Sequence, residues 1–315
     1  MNIKILMHLM PWEIDYALLS TSQLKKSEKY ILDDKVNIEF SSVLNLSSDI
    51  IDWEKSKFPK EYFISKYKDI SKNFNKIKIT TKVIDSNIFY GHFDFQKEAI
   101  SPEVDYYITM CPDMYVGEQN LYYIIESIKN IPNKNFALIT QTTKRWDETW
   151  DILVNENFLN IPYNECFKTS CFDVDIINSS STPELIPLPI FKFAGWFDCF
   201  SKEIWEKFTP VWDEWSGYGS WDTYSMLVLH LLKQKGYDIQ QYLIKGQVIS
   251  EHWNGNTPQQ NWDIDTYKDK NSEGLSGYYK KGLHINKNKN GKLDYERLQE
   301  FAVTQFNKVI NNEKI

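Results

Sequence analysis

The alternation of strand-like and helix-like segments in the first half of this 315-residue chain is its most constraining feature. Apolar or period-two runs are typical of strands, and segments with apolar residues at helical spacing lie between them. The predicted strands are Ile3–Met10, Val36–Leu44, Lys76–Ile84, Tyr106–Cys111 and Asn135–Gln141, and the predicted helices are Glu13–Lys29, Asp52–Asn75 and Leu121–Ile128. This order predicts an α/β fold with a mostly parallel sheet flanked by helices.

The second half of the chain is dense in Trp and has fewer clear elements. Apolar residues at helical spacing predict a helix over Asp222–Lys235, followed by a strand over Tyr242–Ser250. The polar stretch 254–292 is expected to be a loop or lid, and a last amphipathic helix is predicted over Asp294–Val309. No linker or internal repeat separates these segments, so we expect one domain.

Composition excludes several classes of protein. The 43 acidic residues exceed the 36 basic ones, which speaks against a general electrostatic hold on nucleic acid or an anionic membrane. No apolar run is long enough to span a bilayer, and the N-terminus does not have the pattern of a signal peptide. The four Cys show no CxxC spacing, so we expect reduced thiols in a cytoplasmic protein.

The common phosphate-binding and metalloprotease motifs are absent from the sequence. The chain has neither GxGxxG after its first strand nor GxxxxGK[ST], and it has no HExxH. The stretch Asp269–Lys280 begins like a calcium loop, but its twelfth position is Lys280 where a bidentate Glu is needed. These absences argue against a Rossmann dehydrogenase, a P-loop NTPase and an EF-hand protein.

A set of polar and aromatic residues follows the predicted strands in a fixed order. The run "YYITMCPDMY" ends a buried strand with Asp113, and acids at such strand ends often carry a metal or catalytic group. Pro11 and Trp12 follow the first strand, Asn45 follows the second, and His252 follows the last.

In this order the chain resembles the GT-A glycosyltransferases, particularly the family-2-like ones that use nucleotide sugars. The similar stretches are "LMPWE", "LNLSSD", "VDYYITMCPDMY", "FAGWFDCFSKEIWEKF", "EWSGYGSWDTYSMLVLHLL" and "ISEHW", which together span Met1 to Trp253. The chain departs from the family at the metal motif, where Cys111 stands in place of the first acid of Asp-x-Asp. Asp113 stands in place of the second acid, which binds the metal in that family.

The resemblance implies a role for each matched residue. It implies a nucleotide-sugar site made by Pro11, Trp12, Asn45, Cys111 and Asp113. Trp196 and Trp221 would lie on the acceptor side. Asp113 and His252 would bind the metal ion, Mn²⁺ or Mg²⁺. Asp222, at a helix start, matches the general base that deprotonates the acceptor hydroxyl. The matching halves are 1–141 for the nucleotide sugar and 142–253 for acceptor and catalysis, with 254–315 as a mobile loop and a helix.

Structural alternatives stay open for these residues. Asp222 also suits a helix start, Asp113 a turn, and His252 a hydrogen-bonded structural position, while Trp12, Trp196 and Trp221 suit a core.

The resemblance implies a metal-dependent transferase that moves a sugar from a nucleotide-sugar donor, a UDP-sugar first, to an acceptor hydroxyl with inversion. The acceptor is expected to be a glycan or other saccharide. A hydroxylated DNA base, as some viral enzymes use, is the second acceptor class. A binding protein for carbohydrates or nucleotide sugars that has lost catalysis is the remaining alternative, and Cys111 is its best support.

Overall fold

A computed structural model describes residues 1–48, 51–72, 74–87, 90–131, 135–142, 184–188, 197–208, 221–251 and 295–311. Its strands are β1 Asn2–Leu9, β2 Asn37–Asn45, β3 Lys78–Ile84, β4 Tyr106–Met110, β5 Met114–Val116, β6 Phe136–Thr142, β7 Glu184–Leu188, β8 Phe197–Ser201 and β9 Gln240–Glu251. Its α-helices are α1 Ile14–Ser27, α2 Lys60–Ile70, α3 His92–Glu98, α4 Asn120–Asn130, α5 Lys202–Phe208, α6 Trp221–Gln234 and α7 Tyr295–Ile310. Short 3-10 helices, Pro11–Glu13 and Glu28–Tyr30, flank α1.

The strands of the described residues form one nine-stranded sheet. Its order is β3-β2-β1-β4-β8-β6-β9-β5, and β7 also pairs with β9. The pairings make β1, β2, β3, β4, β6 and β9 run in one direction and β5, β7 and β8 in the other. The predicted α/β class, with a mostly parallel sheet flanked by helices, is confirmed.

Strand β1 lies at a topological switch point. The chain passes from β1 to β2 and β3 on one side and then returns to β4 on the other side of β1. Ligands of open α/β sheets bind outside the carboxyl ends of the strands at such a point. We call the edge where β1, β2, β3 and β4 end the carboxyl edge.

The two faces of the sheet differ in polarity. One face packs against α1, α2 and α4 in a large apolar cluster. Ile5, Phe40 and Ile108 of the sheet belong to this cluster and are fully buried. On the other face Tyr107 stacks on Trp205 of α5, with ring centroids 4.9 Å apart. Strand alternation puts Lys4, His8 and Glu39 on the second face, together with the buried Leu6 and Val43.

The ladder between β6 and β9 is irregular near its carboxyl end. The ladder between β6 and β9 jumps from Thr140–Ile244 to Gln141–Val248, so residues 245–247 of β9 stand outside it. The four residue steps from Met110 of β4 to Met114 of β5 reach at most about 15 Å. Four flat strand spacings would need about 19 Å, so the sheet curls and brings β5 near β4.

Glu28 joins the end of α1 to the start of β3. Its buried carboxylate accepts hydrogen bonds from the backbone N–H groups of Asn75, Lys76 and Ile77, at 2.7–3.1 Å. A buried charge is tolerated only when hydrogen bonds satisfy it, and these three donors do so. The bonds fix the chain at the end of the sheet opposite the carboxyl edge.

No helix among the described residues combines the length and the apolar character needed to cross a membrane.

Candidate functional site

The segment after β1 folds into a tight, buried turn. Pro11 opens the 3-10 helix Pro11–Glu13, where the fixed φ of proline suits a first helical position. The buried carboxylate of Glu13 accepts a hydrogen bond from the Met10 N–H at 2.7 Å, which closes the turn. Trp12, the second residue of this turn, is only 7% exposed.

Asn45, at the end of β2, is committed to the backbone. It is fully buried; its Oδ1 accepts the Ser47 N–H at 3.0 Å, and its Nδ2 donates to the Tyr90 carbonyl oxygen at 2.6 Å. Both ends of the amide therefore shape the segments that follow β2 and β3. In this structure Asn45 does not offer its amide to a base, and its predicted binding role stays a prediction.

His8 of β1 shares the same backbone acceptor. Its Nε2 lies 2.9 Å from the Tyr90 carbonyl oxygen, so Nε2 carries the proton and donates. Burial lowers the His8 pKa to about 4, although the bond to Tyr90 opposes this shift. His8 and Asn45 thus hold the segment after β3 against the ends of β1 and β2. In the sequence, His8 is one polar residue within the apolar run Ile3–Met10, which gives no sign of this contact.

The depressed pKa of His8 predicts a pH-dependent stability. In the unfolded chain His8 binds a proton below about pH 6.5, whereas in the folded protein it binds one only near pH 4. The free energy of unfolding therefore falls as the pH falls from about 6.5 to about 4. We expect about 2 kcal/mol of this loss between pH 7 and pH 5. Urea unfolding at both pH values checks it, and His8→Gln, which keeps a donor at this position, should remove that part of the slope. An unchanged slope in His8→Gln would contradict the assignment.

Cys111, Pro112, Asp113 and Met114 form a β-turn between β4 and β5. The Met114 N–H donates to the Cys111 carbonyl oxygen at 3.3 Å, with Pro112 at the second position that proline favours. From α1, the Ser20 hydroxyl donates to the Pro112 carbonyl oxygen at 2.6 Å. Cys111 and Asp113 are both half-buried.

The Asp113 turn lies beside the end of β9. Met114, the first residue of β5, is the Cα partner of Glu251, the last residue of β9. His252 is the next residue of the chain and lies outside the described residues, as does Trp196, which precedes the pair Phe197–Met110. Trp221 and Asp222 are the first two residues of α6, and their side chains lie outside the described part.

A further acid at this edge was not found from the sequence. Asp198, near the start of β8, lies opposite Thr109 of β4, and both side chains are almost fully buried. Burial first, and the Asp198 charge second, raise the pKa of the Cys199 thiol. Asp198 sits inside an apolar stretch, "GWFDCF", and an acid within an apolar strand was the available signal.

In the described part of the chain, no group of three or more His, Cys, Asp or Glu side chains is arranged to hold a metal ion. Asp113 offers one carboxylate at the carboxyl edge, and a hard divalent cation needs further ligands from a substrate or from other segments.

No family model and no curated protein sequence matches the chain. Among solved structures, S. aureus TarS 1–349 in complex with UDP-GlcNAc matches over 98% of this chain and 82% of its own, at 10% identity and a TM-score of 0.44. GalNAc-T7 with UDP, GalNAc and Mn²⁺ matches over 82% of this chain and 45% of its own, at 10% sequence identity and a TM-score of 0.47. M. tuberculosis glucosyl-3-phosphoglycerate synthase matches over 82% of this chain and 74% of its own, at 9% sequence identity and a TM-score of 0.45.

The chain thus spans less than half the length of GalNAc-T7. All three TM-scores are below 0.5, so the case for an activity has to come from the residues of the chain.

Proposed function

We propose that the protein is a glycosyltransferase that moves a sugar from a nucleotide-sugar donor, a UDP-sugar first, to the hydroxyl of a saccharide acceptor. The observation that carries this proposal is the Asp113 turn, which stands at the carboxyl edge next to the switch point at β1. A cation would stabilise the negative charge of a nucleotide-sugar donor bound at that place. The carboxylate of Asp113 can bind such a cation there.

The strand register supports Asp113 and His252 as ligands of one metal ion. Met114 and Glu251 are Cα partners, and Asp113 and His252 are their covalent neighbours. A paired Cα distance of about 5 Å with one 3.8 Å step at each end keeps the two Cα atoms within about 13 Å. Two side chains reaching toward each other can share one ion at this separation.

Asp113, His252 and the donor phosphates would make a mixed oxygen and nitrogen site suited to Mn²⁺ or Mg²⁺. Such an ion, when bound, would offset the negative charge that develops on the leaving diphosphate. The buried turn of Pro11 and Trp12 lies at the end of β1 and would form one wall of the donor site.

The acceptor side is proposed to come from the second half of the chain. Asp222 is the second residue of α6, and its carboxylate would accept the proton of the attacking hydroxyl. Trp196 and Trp221 would supply flat apolar surface for a saccharide. Direct attack by the hydroxyl inverts the configuration at the sugar carbon.

Thermal shift with UDP-, GDP- and CDP-sugars, each with and without Mn²⁺, tests the proposal. We expect one nucleotide sugar to raise Tm in a Mn²⁺-dependent way, and release of nucleoside diphosphate with an acceptor separates an enzyme from a binding protein. No response to any donor would contradict the proposal. Stabilisation without any release would favour the binding protein, whose support is the half-buried Cys111 in place of an acid.

Asp222→Asn separates donor binding from transfer. If Asp222 is the base, the variant should keep the Tm rise with donor and lose transfer by about 10²–10⁴-fold, since the amide cannot accept the proton. Asp238→Asn, beyond the other end of α6, is the control and should transfer normally. Normal transfer by Asp222→Asn would remove Asp222 from the mechanism.

A further inference from the structure

The buried stripe of α1 contains three hydroxyl side chains. Ser20, Thr21 and Ser27 are all at most 3% exposed, at positions where a helix facing a core usually has apolar residues. Thr21 donates to the Ala17 carbonyl oxygen at 2.7 Å and Ser27 to that of Leu24 at 2.5 Å. Both hydroxyls are thus satisfied inside their own helix.

Ser20 differs because its bond leaves the helix. It is fully buried, and its hydroxyl donates to the Pro112 carbonyl oxygen at 2.6 Å, across 92 residues of sequence. Pro112 belongs to the turn that carries Asp113. Helix α1 therefore reaches the β4–β5 turn through a directed bond as well as through packing.

The bond to Pro112 fixes the peptide plane that leads to Asp113. The Pro112 oxygen, the Asp113 nitrogen and the Asp113 Cα lie in one plane, so holding the oxygen orients the backbone of Asp113. Type I and type II turns differ by a rotation of this central peptide, and proline at the second position is compatible with both. A donor on one side of the oxygen selects one of the two orientations.

We propose that Ser20 is a positioning residue, which sets the direction of the Asp113 carboxylate by locking the Pro112–Asp113 peptide. This inference rests on the proposed function, in which Asp113 holds the metal ion that accompanies the donor. Ser20 touches neither donor nor metal. It acts through the turn, from the same helix that begins at the buried Pro11–Glu13 turn of the donor site.

Ser20→Ala tests the proposal, with Ser27→Ala as the matched control. Both changes remove a buried serine hydroxyl from the same helix, and only the first removes a bond to the Asp113 turn. We expect Ser20→Ala to weaken Mn²⁺ binding about five- to tenfold in calorimetric titrations with UDP present, the effect of one lost hydrogen bond. Ser27→Ala should bind Mn²⁺ as the unchanged protein does, and Ser20→Thr, which keeps a hydroxyl, should restore most of the affinity.

A second measurement needs no ligand. Amide hydrogen exchange at Asp113 and Met114 should become faster in Ser20→Ala and stay unchanged in Ser27→Ala, because only the first variant frees the turn. A merely structural serine would lower Tm in both variants alike and leave these two amides unaffected.

The outcomes separate the two proposals. If the unchanged protein binds neither Mn²⁺ nor UDP, the proposed function fails. If it binds them, but Ser20→Ala matches Ser27→Ala in affinity and amide exchange, the positioning role of Ser20 is overturned and the proposed function stands. Weaker Mn²⁺ binding with faster exchange in Ser20→Ala alone supports the positioning role.

Discussion

Asp113→Asn is expected to reduce kcat/KM for sugar transfer by about 10³-fold, while the fold and its Tm stay intact. Asparagine keeps the shape of the side chain and one oxygen ligand, but it loses the negative charge that a divalent cation prefers. The site would then lose the charge stabilisation of the leaving diphosphate, which contributes several kcal/mol in metal-assisted reactions. Steady-state kinetics with the best donor, at fixed Mn²⁺, measures this loss.

Asp69→Asn is the control for this change. Asp69 lies on α2 in an exposed ion pair with Lys72, far in sequence from any residue assigned to the site, and its loss should leave kcat/KM unchanged. The Mn²⁺-dependent part of the donor-induced Tm shift should disappear in Asp113→Asn and persist in Asp69→Asn. Full activity of Asp113→Asn would remove Asp113 from the site and leave the resemblance at the metal motif without a function.

Glu28→Ala is expected to lower the free energy of unfolding by about 3 kcal/mol. The variant leaves the backbone N–H groups of Asn75, Lys76 and Ile77 without their buried acceptor, and hydrogen bonds to a charged group contribute about 1.5–3 kcal/mol each without being additive. In a chain of this size the loss corresponds to a fall in Tm of about 6 °C. Urea unfolding followed by circular dichroism measures it.

Replacing Glu28 by glutamine tests whether the loss of stability comes from the lost hydrogen-bond acceptor. Glu28→Gln keeps one acceptor oxygen but turns an amide NH₂ toward the donors, so we expect a loss between those of the unchanged protein and Glu28→Ala. Glu54→Ala, at an exposed position in the segment before α2, should change the unfolding free energy by less than about 0.5 kcal/mol. Equal losses in Glu28→Ala and Glu54→Ala would show that the three backbone bonds contribute little.

Strands β1 and β2 were predictable because most of their residues are buried. Strands predicted over Ile3–Met10 and Val36–Leu44 match β1 and β2 within one residue at each end. Mostly buried strands are rich in apolar residues, and these two lack the helical spacing of apolar residues seen in the segment between them. The helix predicted over Asp52–Asn75 is shorter in the structure, Lys60–Ile70, since proline at position 59 favours the first turn of a helix over its interior.

The antiparallel strands were not predictable in the same way. β5 is only three residues long, and β8, Phe197–Ser201, is five residues long and lies in an aromatic stretch. Short strands contain too few residues to show a period, so their pairing depends on distant partners that a local pattern cannot indicate.

The candidate site was predictable in its order along the chain but not in its contacts. The ends of β1, β2 and β4 mark Trp12, Asn45 and Asp113, and the fold brings these ends to one edge. Which side chains are used by the backbone depends on tertiary contacts, such as those of Asn45 and His8 with the Tyr90 carbonyl oxygen. A sequence pattern carries no information about that shared acceptor.

The antiparallel direction of β8 has a consequence for how the sequence of the proposed enzyme can change: the segment that leads into β8 and the strand ladder of the sheet can change independently. Because β8 runs against both β4 and β6, the chain enters it at the carboxyl edge, where Phe197 pairs with Met110. A parallel strand in this place would be entered from the opposite end of the sheet. A change in length or sequence before Phe197 therefore leaves the ladder between β8 and β4 as it is. If the proposed function holds, acceptor preference would be able to change in this way without altering how the donor is bound.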